Sequence, residues 1–241
     1  MAEKVINKDI YKTLRNRIIT GKYDKKMRLP TEDLLIKEFD ASRYAIRKSI
    51  KELSDEGLVY SVKGKGVVIL ERTPDPSNIK LSLDKVNTLQ MSDHAEEISR
   101  ITSIADFKMV ITDDKLSKLT SFKKGLPLYV IKRIRHVNKR NVVLDINYLN
   151  AQLVPKLTAE IAKRSIYSYV QNDLNMKISI VKRYLNLEHA QEIDYKYLNL
   201  GFSNCIGNMV TFTFNDNGKL FEYSESHFIP DLFAFNQIIK F

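Results

Sequence analysis

"SRYAIRKSIKEL", residues 42–53, carries two stripes at helical spacing. Ile46, Ile50 and Leu53 make an apolar stripe, and Arg43, Arg47 and Lys51 a cationic one. Steps of three and four put each set on its own side of a helix. Ser42 suits the N-cap and Gly57 the stop.

Upstream, Ile6, Ile10, Leu14 and Ile18 recur every four residues and predict an earlier helix closed by Gly21. Thr31 caps a short second helix, Glu32 and Asp33 suit the dipole of its first turn, and Leu35 and Phe39 form its inner side. Asp40 and Ala41 leave only a tight connection to the quoted helix. Downstream, LVYSV (58–62) and VVIL (67–70) flank KGKG (63–66), which reads as a β-hairpin with Lys63 and Lys65 at its tip. KGKG lacks the Walker spacing and lies between strands, so it is no nucleotide-binding loop.

Three helices followed by a hairpin make a winged helix-turn-helix. The apolar stripe anchors the third helix on the first two, and the cationic stripe is left free for a DNA major groove. For an isolated helix, Arg43, Arg47 and Lys51 would read as an ordinary solvated face. The short preceding helix, the tight turn and the basic hairpin tip favour the DNA reading.

The charge balance agrees. The chain of 241 residues carries a net charge of +10, which favours a polyanionic partner. Residues 1–72 hold 17 Lys and Arg against 11 Asp and Glu, more than half of that excess. An apolar and aromatic content of 44% is ample for a core. No apolar run is long enough for a membrane span, and the charged start has no signal-peptide character. One cysteine, Cys205, forms no internal disulfide, which fits a reducing cytoplasm. Four scattered histidines without a cysteine pair argue against a zinc site, and nothing calls for another metal or a cofactor.

ERTPDPSNIK (71–80), with two prolines and mixed charge, reads as an extended linker. Strands are expected at 128–137, 142–149, 178–187, 206–215 and 219–229, the last two joined at Asp216-Asn217-Gly218. Helices are expected at 93–100, 151–162, 165–174 and 188–198. Strands beside strands, with helices in blocks, predict an α+β domain on an antiparallel sheet. Along LYVIKRIRHV (128–137), Arg133 and Arg135 share a face with apolar neighbours. Such arginines need an anion, either an acid of the fold such as Asp145 or a ligand phosphate or carboxylate. Ser165, at the head of SIYSYVQNDL, caps a helix whose N–H groups would suit an anion, or is a cap and nothing more.

LPTEDLLIKEF and ASRYAIRKSIKELSDEGLVYSVKGKGVVI resemble the GntR family of bacterial transcription regulators over about residues 6–70. The resemblance implies that Arg43 and Arg47 contact DNA and that Gly66 of the wing approaches the minor groove. Tyr44, Lys48, Lys51, Lys63 and Lys65 complete the expected DNA-facing set. Tyr44 stands where the family often has a small residue or Thr, and Asp33 where some members have a DNA-contacting Arg. The operator sequence is therefore left open.

PLYVIKRIRHVN, DINYLN, SIYSYV and FEYSESHFIPDLFAF resemble the UTRA effector-binding domain of the HutC subfamily over roughly 85–238. This implies a chorismate-lyase-like fold used for sensing, and a homodimer. It further implies that Arg133, Arg135, Ser165 and Tyr167 bind phosphate, that Asp145 (usually Glu) and Glu222 reach sugar hydroxyls, and that Thr88 matches a serine in the entry loop. Where the family often ends Tyr-Arg-x-Asp, this chain has Phe228-Ile229-Pro230-Asp231.

The expected division is a DNA-binding domain at 1–70, a linker at 71–84 and an effector-binding domain at 85–241. The expected function is a cytoplasmic, dimeric transcription regulator on a palindromic double-stranded operator. It is expected to be a repressor released by a small phosphorylated sugar or a related anionic metabolite. The rivals are a lyase-like enzyme and a DNA-binding protein that needs no ligand.

Overall fold

The structure, a computed structural model, describes residues 2–71, 79–81, 89–91 and 100–233. Thr88, most of the expected linker and all of the expected helix over 93–100 save Arg100 lie outside the described residues. The chain divides into two compact units, with the boundary between Pro76 and Ser77.

The first unit is built from α1 (Ala2–Ile19), α2 (Glu32–Phe39), α3 (Arg43–Asp55) and a hairpin of β1 (Val59–Val62) and β2 (Gly66–Ile69). Ile10, Leu14, Ile18, Leu35, Ile46, Ile50 and Leu53 share one buried core with Val59 and Ile69. From Ile10 onward, the stripes read from the sequence are therefore the contact faces of the three helices. Thr31 and Ser42 accept from the backbones of Leu34 and Ala45 at the starts of α2 and α3. Between these helices Asp40 takes a left-handed conformation, with φ 46°. Aspartate tolerates that region better than most residues with a Cβ, and it lets the chain reverse in three residues.

The second unit opens with a short ladder of β3 (Ile79–Leu81) and β4 (Leu89–Met91). Then come β5 (Arg100–Ile111), α4 (Asp114–Thr120), β6 (Pro127–Val137), β7 (Arg140–Asn150), α5 (Ala159–Arg164) and α6 (Ile166–Ser168). A π turn over Tyr169–Asp173, β8 (Ile178–His189), α7 (Glu192–Tyr197), β9 (Cys205–Asn215) and β10 (Leu220–Phe228) complete it, with a 3₁₀ turn at Pro230–Leu232. Six strands form one antiparallel sheet in the order β5-β6-β7-β10-β9-β8.

Strands β6 and β7 meet at a two-residue turn, Asn138-Lys139, whose φ values of 48° and 65° match the twist of a tight hairpin. On the sheet face that carries Ile131 and Leu149, the segment over 153–176 packs around Leu157, Ala162, Ile166 and Val170. Helix α7 covers Ile134, Leu144 and Ile146 on the other face. At Gly207 a Cβ would stand 2.0 Å from the ring of Phe233, so glycine is what lets that ring lie against β9.

Four expectations change. Strand β5 was not anticipated, because RITSIADFKMVI alternates poorly and forms a partly exposed edge. The expected helix over 151–162 shrinks to Ala159–Arg164, with turns through Pro155 ahead of it. The expected helix over 165–174 becomes three α-helical residues and the π turn. The expected helix over 188–198 begins only at Glu192, because pairing of β8 with β9 runs on through His189.

Candidate functional site

The outer face of α3 presents Arg43, Tyr44, Arg47, Lys48 and Lys51, all exposed, and Lys63, Lys65 and Gly66 are exposed on the wing. Gly64 and Gly66 take φ of 80° and 82°, the conformation that turns the hairpin between Val62 and Gly66. The loop is one residue shorter than expected, since Gly66 already pairs with Val62.

One expectation is corrected here. The arginine row is not left without partners. Arg47 Nε reaches Glu32 Oε2 at 2.9 Å, and an Arg43 terminal nitrogen reaches Asp33 Oδ1 at 2.7 Å. The cause is the short α2–α3 connection, which brings the acidic first turn of α2 beside α3. The arginines nevertheless keep 63% and 55% side-chain exposure. Pairs that open to water contribute about 0–1 kcal/mol, so they fix the guanidiniums only weakly and leave them on the surface.

The second unit gathers a denser polar cluster on the sheet face opposite α7. Arg133 lies opposite Asp145 on β7, and Arg135 lies two residues further along β6. Arg135 Nε donates to Asp145 Oδ2 at 2.6 Å, and Arg133 reaches the same oxygen at 3.5 Å. Ser226 Oγ donates to Asp145 Oδ1 at 2.6 Å. Arg133 Nε donates to Asn147 Oδ1 at 2.9 Å, and the Asn147 amide donates to Glu222 Oε1 at 2.8 Å. The Tyr167 hydroxyl donates to Glu222 Oε2 at 2.5 Å.

Electrostatics follow from burial. Burial alone would push the Asp145 carboxyl up, but Arg135 and Arg133 outweigh it and hold it below the ordinary carboxylate value. Burial pushes Glu222 up despite its bonds to Tyr167 and Asn147 and the charge of Arg133. Burial, then the charge of Glu222, lifts the Tyr167 hydroxyl well above its usual value, so it stays a donor. Two guanidiniums thus share one firmly ionised carboxylate. With Arg164 beside them, the arginines lining this region outnumber its two acids, Asp145 and Glu222, so cationic groups are in excess in a sheltered place, where an anion is attracted more strongly than in water.

Arg133, Arg135, Ser165, Tyr167 and Glu222, named from the sequence, line one open cleft. Asp145 lines an adjoining hollow with Asn147, Thr211, Ser224 and Ser226. Ser165 Oγ accepts from the Ser168 backbone, so it is a cap that also lines the cleft. The helix it caps is too short to supply the expected dipole.

Sequence reasoning missed Thr102, Arg164 and Asn147. Thr102 comes from the unanticipated β5, and Arg164 from the end of α5 beside Ser165. Asn147 had a readable signal, since alternation from Asp145 puts it on the same face.

On the other face, Ser103 Oγ stands 2.7 Å from His136 Nε2, and His136 Nδ1 stands 2.8 Å from Asn141 Oδ1. A hydroxyl beside a histidine was not foreseen. Neither residue lines the cleft or the hollow. No described helix is long and apolar enough to cross a membrane, and the described residues contain no cluster of metal-capable side chains.

Residues 6–69 match the bacterial regulatory proteins of the gntR family, and residues 99–234 match the UTRA domain. The HTH-type transcriptional regulator TreR of Bacillus subtilis is 26% identical over 229 residues, covering 94% of this chain and 93% of that protein. The mannosyl-D-glycerate transport/metabolism system repressor MngR of Escherichia coli is 23% identical over 242 residues, covering 100% of this chain and 98% of that one. The crystal structure of the possible transcriptional regulator YydK from Bacillus subtilis superposes with a TM-score of 0.72 at 19% identity. It covers 98% of this chain and 99% of its own.

Proposed function

The chain belongs to the GntR family of bacterial regulatory proteins and carries a UTRA domain, and from that membership we propose a one-component transcriptional repressor released from DNA by a small anionic metabolite. The observation that carries the reading is one chain joining an exposed cationic α3 to a cleft where Arg133 and Arg135 share Asp145. The α3 face supplies the arginines that suit guanine edges in a major groove. The cleft supplies an excess of cationic groups for a phosphate, with the hydroxyls of Thr102, Ser165 and Tyr167 lining the same space beside it. TreR, described as the Bacillus subtilis trehalose repressor, and the mannosyl-D-glycerate transport/metabolism system repressor MngR support a sugar-derived effector.

In this reading residues 1–70 bind DNA, 71–84 link, and 85–241 sense the effector in the cytoplasm. A homodimer places two copies of α3 on a palindromic operator, one per half-site. Effector binding favours arrangements whose headpieces miss the half-site spacing. Moving the population from mostly bound to mostly free takes about 3–5 kcal/mol of differential affinity, within reach of a sheltered phosphate on two arginines.

The test is a thermal-shift panel of phosphorylated sugars and small carboxylates, followed by operator release with whichever ligand stabilises the protein. One ligand raising the melting temperature by several degrees and freeing DNA supports the proposal. Stabilisation by none favours a ligand-independent DNA binder. Ligand turnover would favour the enzyme, against which Ser103 and His136 lie outside the cleft.

A further inference from the structure

Glu32 and Asp33 differ in their surroundings although both meet α3. Glu32 is 30% exposed and lies within reach of both Arg47 and Arg43, at 2.9 and 3.6 Å. Asp33 is 72% exposed and meets Arg43 at 2.7 Å. An ion pair that open contributes little to the fold. Its consequence falls on the surface where Arg43 would meet DNA.

An unaccompanied arginine on such a surface neutralises a phosphate and releases a counterion on any sequence. A carboxylate beside it cancels that gain and repels neighbouring phosphates within a Debye length. A guanine edge is different, because O6 and N7 together accept a directional pair of hydrogen bonds. Guanidinium has five N–H donors, so engaging one terminal nitrogen through Asp33 Oδ1 leaves others to donate while the plane is held.

We propose that Asp33 is a specificity-determining residue. It carries Arg43 as a neutral pair, which suppresses sequence-independent binding and aims the guanidinium at one base edge. This rests on the DNA-binding reading above and adds which residue sets the ratio of specific to non-specific affinity.

The test starts with an operator selected by the full-length protein from a randomised duplex pool. Failure of any consensus to emerge would sink the DNA-binding reading itself, before Asp33 is touched. Wild type, Asp33→Ala, Asp33→Asn and Arg43→Ala are then compared on the selected and a scrambled duplex across a salt series. Thermal melts confirm that each variant stays folded, as exposed positions should.

Asp33→Ala is expected to bind the scrambled duplex about tenfold tighter at low salt, with the log–log salt slope steeper by about one per protomer, about two for the dimer. It should lose about tenfold discrimination at the same base pair where Arg43→Ala loses its preference. Asp33→Asn keeps an acceptor without the charge, so it should gain the non-specific affinity and retain more of the discrimination. Unchanged scrambled-duplex affinity and salt slope in Asp33→Ala would overturn the proposal. So would a loss of discrimination at a base pair that Arg43→Ala leaves intact.

Discussion

Arg135 and Asp145 meet across neighbouring strands at 2.6 Å, and the Asp145 side chain is only 2% exposed. Removing a buried acid from two guanidiniums leaves uncompensated charge, a change that costs about 3–5 kcal/mol. Asp145→Asn should therefore lower the melting temperature by several degrees. Inorganic phosphate should restore more stability in the variant than in wild type, because it supplies the missing anion. Equal responses of the two proteins to phosphate would argue that it does not reach this cluster. The pH consequence has a definite sign. The folded pKa of Asp145 lies below its unfolded value, so its contribution is present above the unfolded pKa. It is lost as pH falls through the folded one.

Arg133→Ala addresses the ligand. Arg133 reaches Asp145 only at 3.5 Å, and Arg135 remains as the closer counter-ion of that carboxylate. The variant should still bind operator with wild-type affinity while losing release by the effector, measured by fluorescence anisotropy with titrated ligand. An unfolded variant would instead assign Arg133 to the framework.

Arg47→Ala addresses DNA. The side chain is 63% exposed and its partner Glu32 keeps 30% exposure, so stability should change by less than about 1 kcal/mol. Losing a bidentate base contact costs about 1–3 kcal/mol per site, roughly 5- to 150-fold in affinity. A gel-shift titration that finds undiminished specific binding would remove Arg47 from the interface.

His227 makes a pH prediction on the face away from the cleft. Burial alone would push its imidazole down, but hydrogen bonds to Asp194 and Glu225 outweigh this and raise its pKa from 6.5 to about 9. A raised folded pKa stabilises fully below the unfolded value and loses that stabilisation as pH rises through the folded one. Denaturant melts should therefore show stability declining between about pH 6.5 and 9. His227→Gln should flatten that decline and lower the plateau at neutral and acid pH.

The headpiece was legible because its signals are local. Caps at Thr31 and Ser42 and stripes of step three or four each lie within one helix, and the structure repeats them. The cleft was legible only in part. Arg133, Arg135 and Asp145 are placed by strand alternation, which survives in β6 and β7 because their pairing runs unbroken over those residues. Strand β5 shifts its pairing between Ile104 and Asp106, so alternation fails there and Thr102 went unread. The segment over 151–174 is set by packing on the sheet, which overrode its helical appearance.

The Asn138-Lys139 turn has a consequence of its own. Arg133, Arg135, Asp145 and Asn147 all descend from the two arms it joins. Inserting a single residue there would slide one arm by a notch and send its pair of polar side chains to the opposite surface together. The ionic cluster is thus assembled as one block, and its individual groups are easier to replace than that loop is to lengthen.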